Sequence, residues 1–155
     1  MRTIFLLLLV AGATLAASCG NQTENADAEP ATTSEAEYSD GQWIADDFET
    51  ASAIAEETGR PLLIDLYADW CGPCHTLEEE YFPHEAVQPM LSNFVLLRLN
   101  VDVEPGRSMA QDYRANAIPT VVVAEADGTE IDRIVGITRT PEAYARQLQD
   151  ILSAM

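Results

Sequence analysis

Two cysteines separated by two residues, Cys71 and Cys74, are the part of this sequence best suited to chemistry. A thiolate at the first can attack a disulfide sulfur of another molecule. The second is close enough to attack the mixed disulfide and close a small ring. The pair follows the apolar run 62–68 directly and is followed by a polar stretch of helical character. That places it at a strand-to-helix junction, where unpaired N–H groups and a partial positive charge favour a thiolate at Cys71. Gly72 permits the tight turn, and Pro73 suits the first turn of a helix because no N–H is needed there. Asp65 is the other unusual residue, a carboxylate within the otherwise apolar Leu62–Ala68. Burial raises the pKa of such a group and fits it to accept the proton of the second thiol. The competing reading is an aspartate turned toward water.

Several elements must position these groups. Asp46–Thr58 reads as a helix capped by Asp46, with Glu49 at the capping-box position and Gly59 as its stop. The run 62–68 suits a central strand buried on both faces. A helical stretch from the cysteines reaches about Glu80, Pro83 breaks it, and a short helix covers Glu85–Leu91. Phe94–Val101 is a second apolar strand, and Pro105–Arg114 is helical. Thr120–Glu125 and Glu130–Val135 form a hairpin about Ala126-Asp127-Gly128. Thr140 caps a last helix that starts at Pro141 and carries Tyr144, Leu148, Ile151 and Leu152 as an apolar stripe. Helices between strands imply parallel pairing, and the late hairpin adds antiparallel strands. The class is α/β, a mixed sheet with helices on both faces. Trp43, Tyr67, Phe94 and Tyr113 read as packing residues.

Composition narrows the partners. With 26 acidic residues against 8 basic ones, the formal net charge is −18, and every basic residue is an arginine. Phosphate backbones repel such a chain, which argues against nucleic acid. Arg2, the apolar Ile4–Val10 and small residues up to Ser18 have the order and length of a secretory signal, 1–18. Leu15-Ala16-Ala17-Ser18-Cys19 resembles a bacterial lipobox, with Ala16 where leucine is usual. The resemblance implies acylation of Cys19 and a lipid anchor in a bacterial membrane. The alternative is ordinary cleavage, for instance after Ala13, giving a soluble periplasmic protein with Cys19 as an odd thiol. Residues 19–42 then form an acidic, disordered tether spanning roughly 25 Å, and 43–155 the folded domain.

Together, LLIDLYADWCGPC at Leu62–Cys74, RLNVD at Arg98–Asp102, IPT at Ile118–Thr120 and the late Gly136 resemble the thioredoxin family. CHTLEEEYFPHEAVQPML, at Cys74–Leu91, is closer to the C-terminal thioredoxin-like domain of the membrane disulfide reductase DsbD. The resemblance covers Trp43–Leu152 and implies a thioredoxin fold. It implies a thiol–disulfide oxidoreductase outside the cytoplasm, with Cys71 attacking and Cys74 resolving. It further implies that Pro119 is a cis-proline beside the disulfide, that the Ile118 backbone pairs with a substrate chain, that Trp70 flanks the site and that Asp65 lies beneath it. Arg98 falls where thioredoxins commonly carry a lysine, and its permanent charge would hold the Asp65 pKa down. Gly72-Pro73 between the cysteines is the thioredoxin pair and implies a reducing couple. The expected partners are disulfide-containing proteins and a membrane electron donor of the DsbD/CcdA type. No cofactor or metal is expected beyond the dithiol itself, and the chain is expected to act as a monomer.

Two rivals use the same residues. Cys71-Gly72-Pro73-Cys74-His75 matches the C-x-x-C-H pattern of covalent haem attachment, against which stands the strand-to-helix setting. A thioredoxin-fold binding or chaperone module could use the groove at Pro119 without turnover. His75 reads as an exposed helix residue near the thiols, able to favour the Cys71 thiolate when protonated. His84 reads as a surface residue.

Overall fold

A computed structural model describes Ser39 and residues 41–155. The signal, Cys19 and nearly all of the tether expected at 19–42 lie outside the described residues. The elements are β1 (Trp43–Ala45), α1 (Phe48–Thr58), β2 (Leu62–Tyr67), α2 (Gly72–Thr76) continued by a π-helical turn (Leu77–Tyr81), α3 (Gln88–Leu91), β3 (Val95–Asn100), α4 (Gly106–Asp112), β4 (Thr120–Ala124), β5 (Glu130–Val135) and α5 (Pro141–Ala154).

The sheet runs β1-β3-β2-β4-β5. β1, β3 and β2 are parallel, and β4 and β5 are antiparallel additions. β2 is therefore central, and its alternate residues enter two separate cores. Leu63 packs with Leu96, Val121 and Val123 under Leu77, Tyr81, Tyr144 and Leu148. Leu62, Ile64 and Leu66 pack with Leu97, Leu99 and Val122 under Ala51 and Ala55 of α1. Burial on both faces explains why the strand reads as a nearly unbroken apolar run. It also makes Asp65, on the first of these faces, the exception within it.

Local differences from the sequence reading have physical causes. Asp47, not Asp46, caps α1: its carboxylate accepts from Thr50 N at 3.0 Å and from the Thr50 hydroxyl. Asp46 takes a left-handed conformation, φ 51°, and its Oδ1 accepts from Asn100 N at 2.8 Å. A tertiary bond to the end of β3 thus decides between two adjacent aspartates. β1 is three residues long, too short to show periodicity. The helix expected over 85–91 is regular only from Gln88, because Val87 and Gln88 both donate to the His84 carbonyl in turns. Gly59 ends α1 in the left-handed region at φ 65°. Gly106 is a packing requirement: a Cβ there would lie 2.2 Å from the Asn100 carbonyl oxygen.

Candidate active site

β2 delivers the chain to a turn, Ala68–Trp70, closed by Cys71 N–H donating to Ala68 O at 3.0 Å. Cys71 is the N-cap of α2, and Pro73 occupies the first helical turn as its missing N–H allows. Cys71 and Cys74 are joined as a disulfide. The Cys74 N–H points at Cys71 Sγ, 3.2 Å away. A helix-start N–H aimed at this sulfur is what stabilises a thiolate there once the bond is reduced. Both cysteines are nearly covered, packed with Ala68 against Tyr67, Val101 and Ile118. Gly72 and Pro73 are exposed above them.

Of the remaining sequence-derived residues, Ile118 packs directly on this pair. Ile118–Pro119 is a cis peptide. Pro119 O accepts from Gly136 N at 2.8 Å, and the Thr120 hydroxyl donates to Ala117 O at 2.8 Å. These bonds fix the loop from both sides. Among the described residues the Ile118 backbone makes no hydrogen bond, while its side chain packs on the cysteines. Trp70 is 70% exposed, yet its indole N–H donates to Asp102 Oδ2 at 2.8 Å. An aromatic surface is thus held open beside the disulfide. His75 Nε2 lies 2.8 Å from Asp69 O, so the imidazole ties the helix back to the turn before Cys71. With the sulfurs joined to each other and this ring nitrogen engaged by a carbonyl, the geometry does not favour the haem reading.

Asp65 is buried, with 1% of its surface exposed. Its Oδ2 accepts from Arg98 Nε at 3.2 Å, across the β2–β3 register that sets Asp65 opposite Arg98. Arg98 also bonds through Nη1 to Glu78 and lies over the Tyr67 ring, 4.1 Å from its centroid. Burial pushes the Asp65 carboxyl up from 3.8 to about 7. The charge and hydrogen bond of Arg98 pull it down, and nearby Glu78 pushes it further up. The downward pull expected of Arg98 is present, but desolvation outweighs it and leaves the group titrating near neutrality. Sequence reasoning missed Glu78, Asp102 and Tyr144. Glu78 stood inside a polar helical run, and Asp102 inside a quoted motif, with nothing to mark either. Tyr144 was read only as apolar stripe.

This combination, a disulfide at a strand-to-helix turn, a cis-proline loop and a buried carboxylate in a five-stranded mixed sheet, defines the thioredoxin fold. The thioredoxin-like family profile matches residues 42–126, and the chain belongs to that family. Among curated proteins it is 36% identical over 104 residues to the thiol:disulfide interchange protein DsbD of Cronobacter sakazakii, covering 64% of this chain and 18% of that protein. It is 31% identical over 112 residues to DsbD of Yersinia enterocolitica, covering 70% and 19%. The chain thus spans about a fifth of the length of these relatives. Among solved structures, the oxidised C-terminal domain of DsbD from Neisseria meningitidis superposes with a TM-score of 0.56 at 17% identity, over 65% of this chain and 89% of that one. Among the described residues no helix is long and apolar enough to cross a membrane.

Proposed function

We propose that this chain is a thiol–disulfide oxidoreductase acting outside the cytoplasm, held to a bacterial membrane through acylated Cys19 and a flexible tether over 19–42. Cys71, as thiolate, attacks a disulfide of a partner protein. One partner sulfur leaves as a thiol and a mixed disulfide forms. Asp65 takes the proton of Cys74, and Cys74 attacks Cys71 Sγ. The partner departs reduced, and the Cys71–Cys74 disulfide remains. A membrane electron donor of the DsbD/CcdA type then returns two electrons and two protons to the pair. Trp70 and the Ile118–Pro119 loop receive the partner chain, with the open Ile118 backbone available for pairing. The domain works as a monomer.

The observation that carries this reading is the Cys71–Cys74 disulfide at the start of a helix whose Cys74 N–H faces Cys71 Sγ. The kinship with DsbD supports the choice of partner class. Trapping tests it. A Cys74→Ser chain stalls as a mixed disulfide through Cys71, seen as a dithiothreitol-sensitive band, and Cys71→Ser gives none. If neither variant traps a protein while the unaltered chain binds one, the groove acts as a binding module. Incorporation of labelled palmitate that Cys19→Ala abolishes tests the anchor; equal labelling contradicts it.

A further inference from the structure

Among the described residues, Asp65 Oδ1 and Tyr144 OH are the buried side-chain oxygens with no hydrogen-bond partner. Burying either unpaired is costly, so their occurring together calls for a physical account. Both belong to the same side of the sheet. Asp65 follows Leu63 by two residues on β2 and pairs with Val121 of β4. Leu63, Val121 and Tyr144 pack in one core with Leu77 and Tyr81. Tyr144 comes from the first turns of α5, and its ring is met edge-on by Tyr81 at 5.8 Å and by Phe82 at 6.4 Å. The Tyr81 hydroxyl is already engaged, donating to Thr138 O at 2.5 Å. Burial first, and then the Asp65 charge, hold the Tyr144 phenol well above its usual range. Tyr144 therefore keeps an O–H to donate at every working pH. On Asp65, Arg98 occupies Oδ2 and leaves Oδ1 open.

We infer that Tyr144 is a positioning residue for Asp65, its hydroxyl donating through one buried water to Oδ1 and so favouring the carboxylate form. A water with two such polar partners is an ordinary occupant of a protein core. The inference rests on Asp65 serving as base for Cys74, since that is where its state matters. The charged and titratable groups that act on Asp65 are Arg98 from β3, Glu78 from the π-helical turn and Tyr144 from α5, while Tyr67 lies two residues further along its own strand. Its β4 neighbour, Val121, is apolar. Arg98 and Tyr144 thus act from opposite oxygens of one carboxylate, one by charge and one by hydrogen bond.

The test is the titration of the Asp65 carboxyl carbon by NMR in the full-length, oxidised chain. Tyr144→Phe keeps the ring and its packing but removes the donor. Losing a bond to the charged form raises the Asp65 pKa by about one unit. Tyr81→Phe, whose hydroxyl serves Thr138, leaves it unchanged. On the unaltered chain, the Tyr144 ring Cζ signal inflects at the Asp65 pKa, a readout that needs no variant to fold. An Asp65 titration in Tyr144→Phe that is unmoved or lowered overturns the inference, as does a Cζ trace flat across that range. None of these measurements requires turnover, so they fail or succeed apart from the reductase reading. If both readings hold, the pH profile of partner release by Cys74 moves upward by the same amount in Tyr144→Phe.

Discussion

Replacing Asp65 with asparagine removes one titration from the centre of the fold and leaves most else in place. Volume is nearly kept, and the amide oxygen still accepts from Arg98. In the folded chain the carboxyl titrates at about 7, against 3.8 when exposed. Between those values the folded state holds a proton that the unfolded state has released. Stability from this group is therefore fully present below about pH 4 and is lost as pH rises toward 7. The difference of about three units corresponds to roughly 4 kcal/mol. Above pH 7 the folded chain carries a buried carboxylate that Arg98 only partly offsets. Urea unfolding of both chains at intervals from pH 4 to 8.5 reads this directly. The other carboxylates titrate alike in the two proteins and cancel in the difference. Relative to the parent, Asp65→Asn gains roughly 4 kcal/mol as pH rises, the gain building up between about pH 4 and 7 and complete above that, while disulfide exchange slows. A stability difference constant with pH would refute the reasoning, because it would mean that Asp65 titrates alike in the folded and unfolded states.

Two further perturbations probe the frame around the site. Arg98→Gln removes a positive charge that lowers the Asp65 pKa, so the carboxyl titration moves up by about one unit or more; an unchanged titration would show that Arg98 serves packing alone. Gly106→Ala drives a methyl into the Asn100 carbonyl and lowers stability by about 3 kcal/mol in chemical denaturation, whereas a loss below about 0.5 kcal/mol would show that α4 shifts freely.

What could be read from the sequence follows from where the physical signal was local. The double burial of β2 leaves an apolar run, so the central strand and the anomaly of Asp65 were both visible in Leu62–Ala68. Cys71-Gly72-Pro73-Cys74 carries its geometry in four residues, and Thr140-Pro141 does the same for the start of α5. The site's hidden half depends on distance in sequence. Asp102 holds Trp70 from 32 residues away, and Glu78 reaches Arg98 from 20. Tyr144 lies 79 positions beyond Asp65, and only the folded chain sets its hydroxyl in the same core. The contest between Asp46 and Asp47 for the α1 cap was settled by Asn100, again a tertiary partner. The continuation of α2 as a π-helical turn likewise has no signature in residue type.

The reduction potential of the Cys71–Cys74 pair tests the central claim most directly. Equilibration of the full-length chain with dithiothreitol or glutathione buffers, followed by thiol counting, should give a reversible two-electron couple near that of thioredoxin, about −270 mV. A value near −120 mV, that of the oxidant DsbA, or no reversible couple at all, would contradict a reductase working through this dithiol.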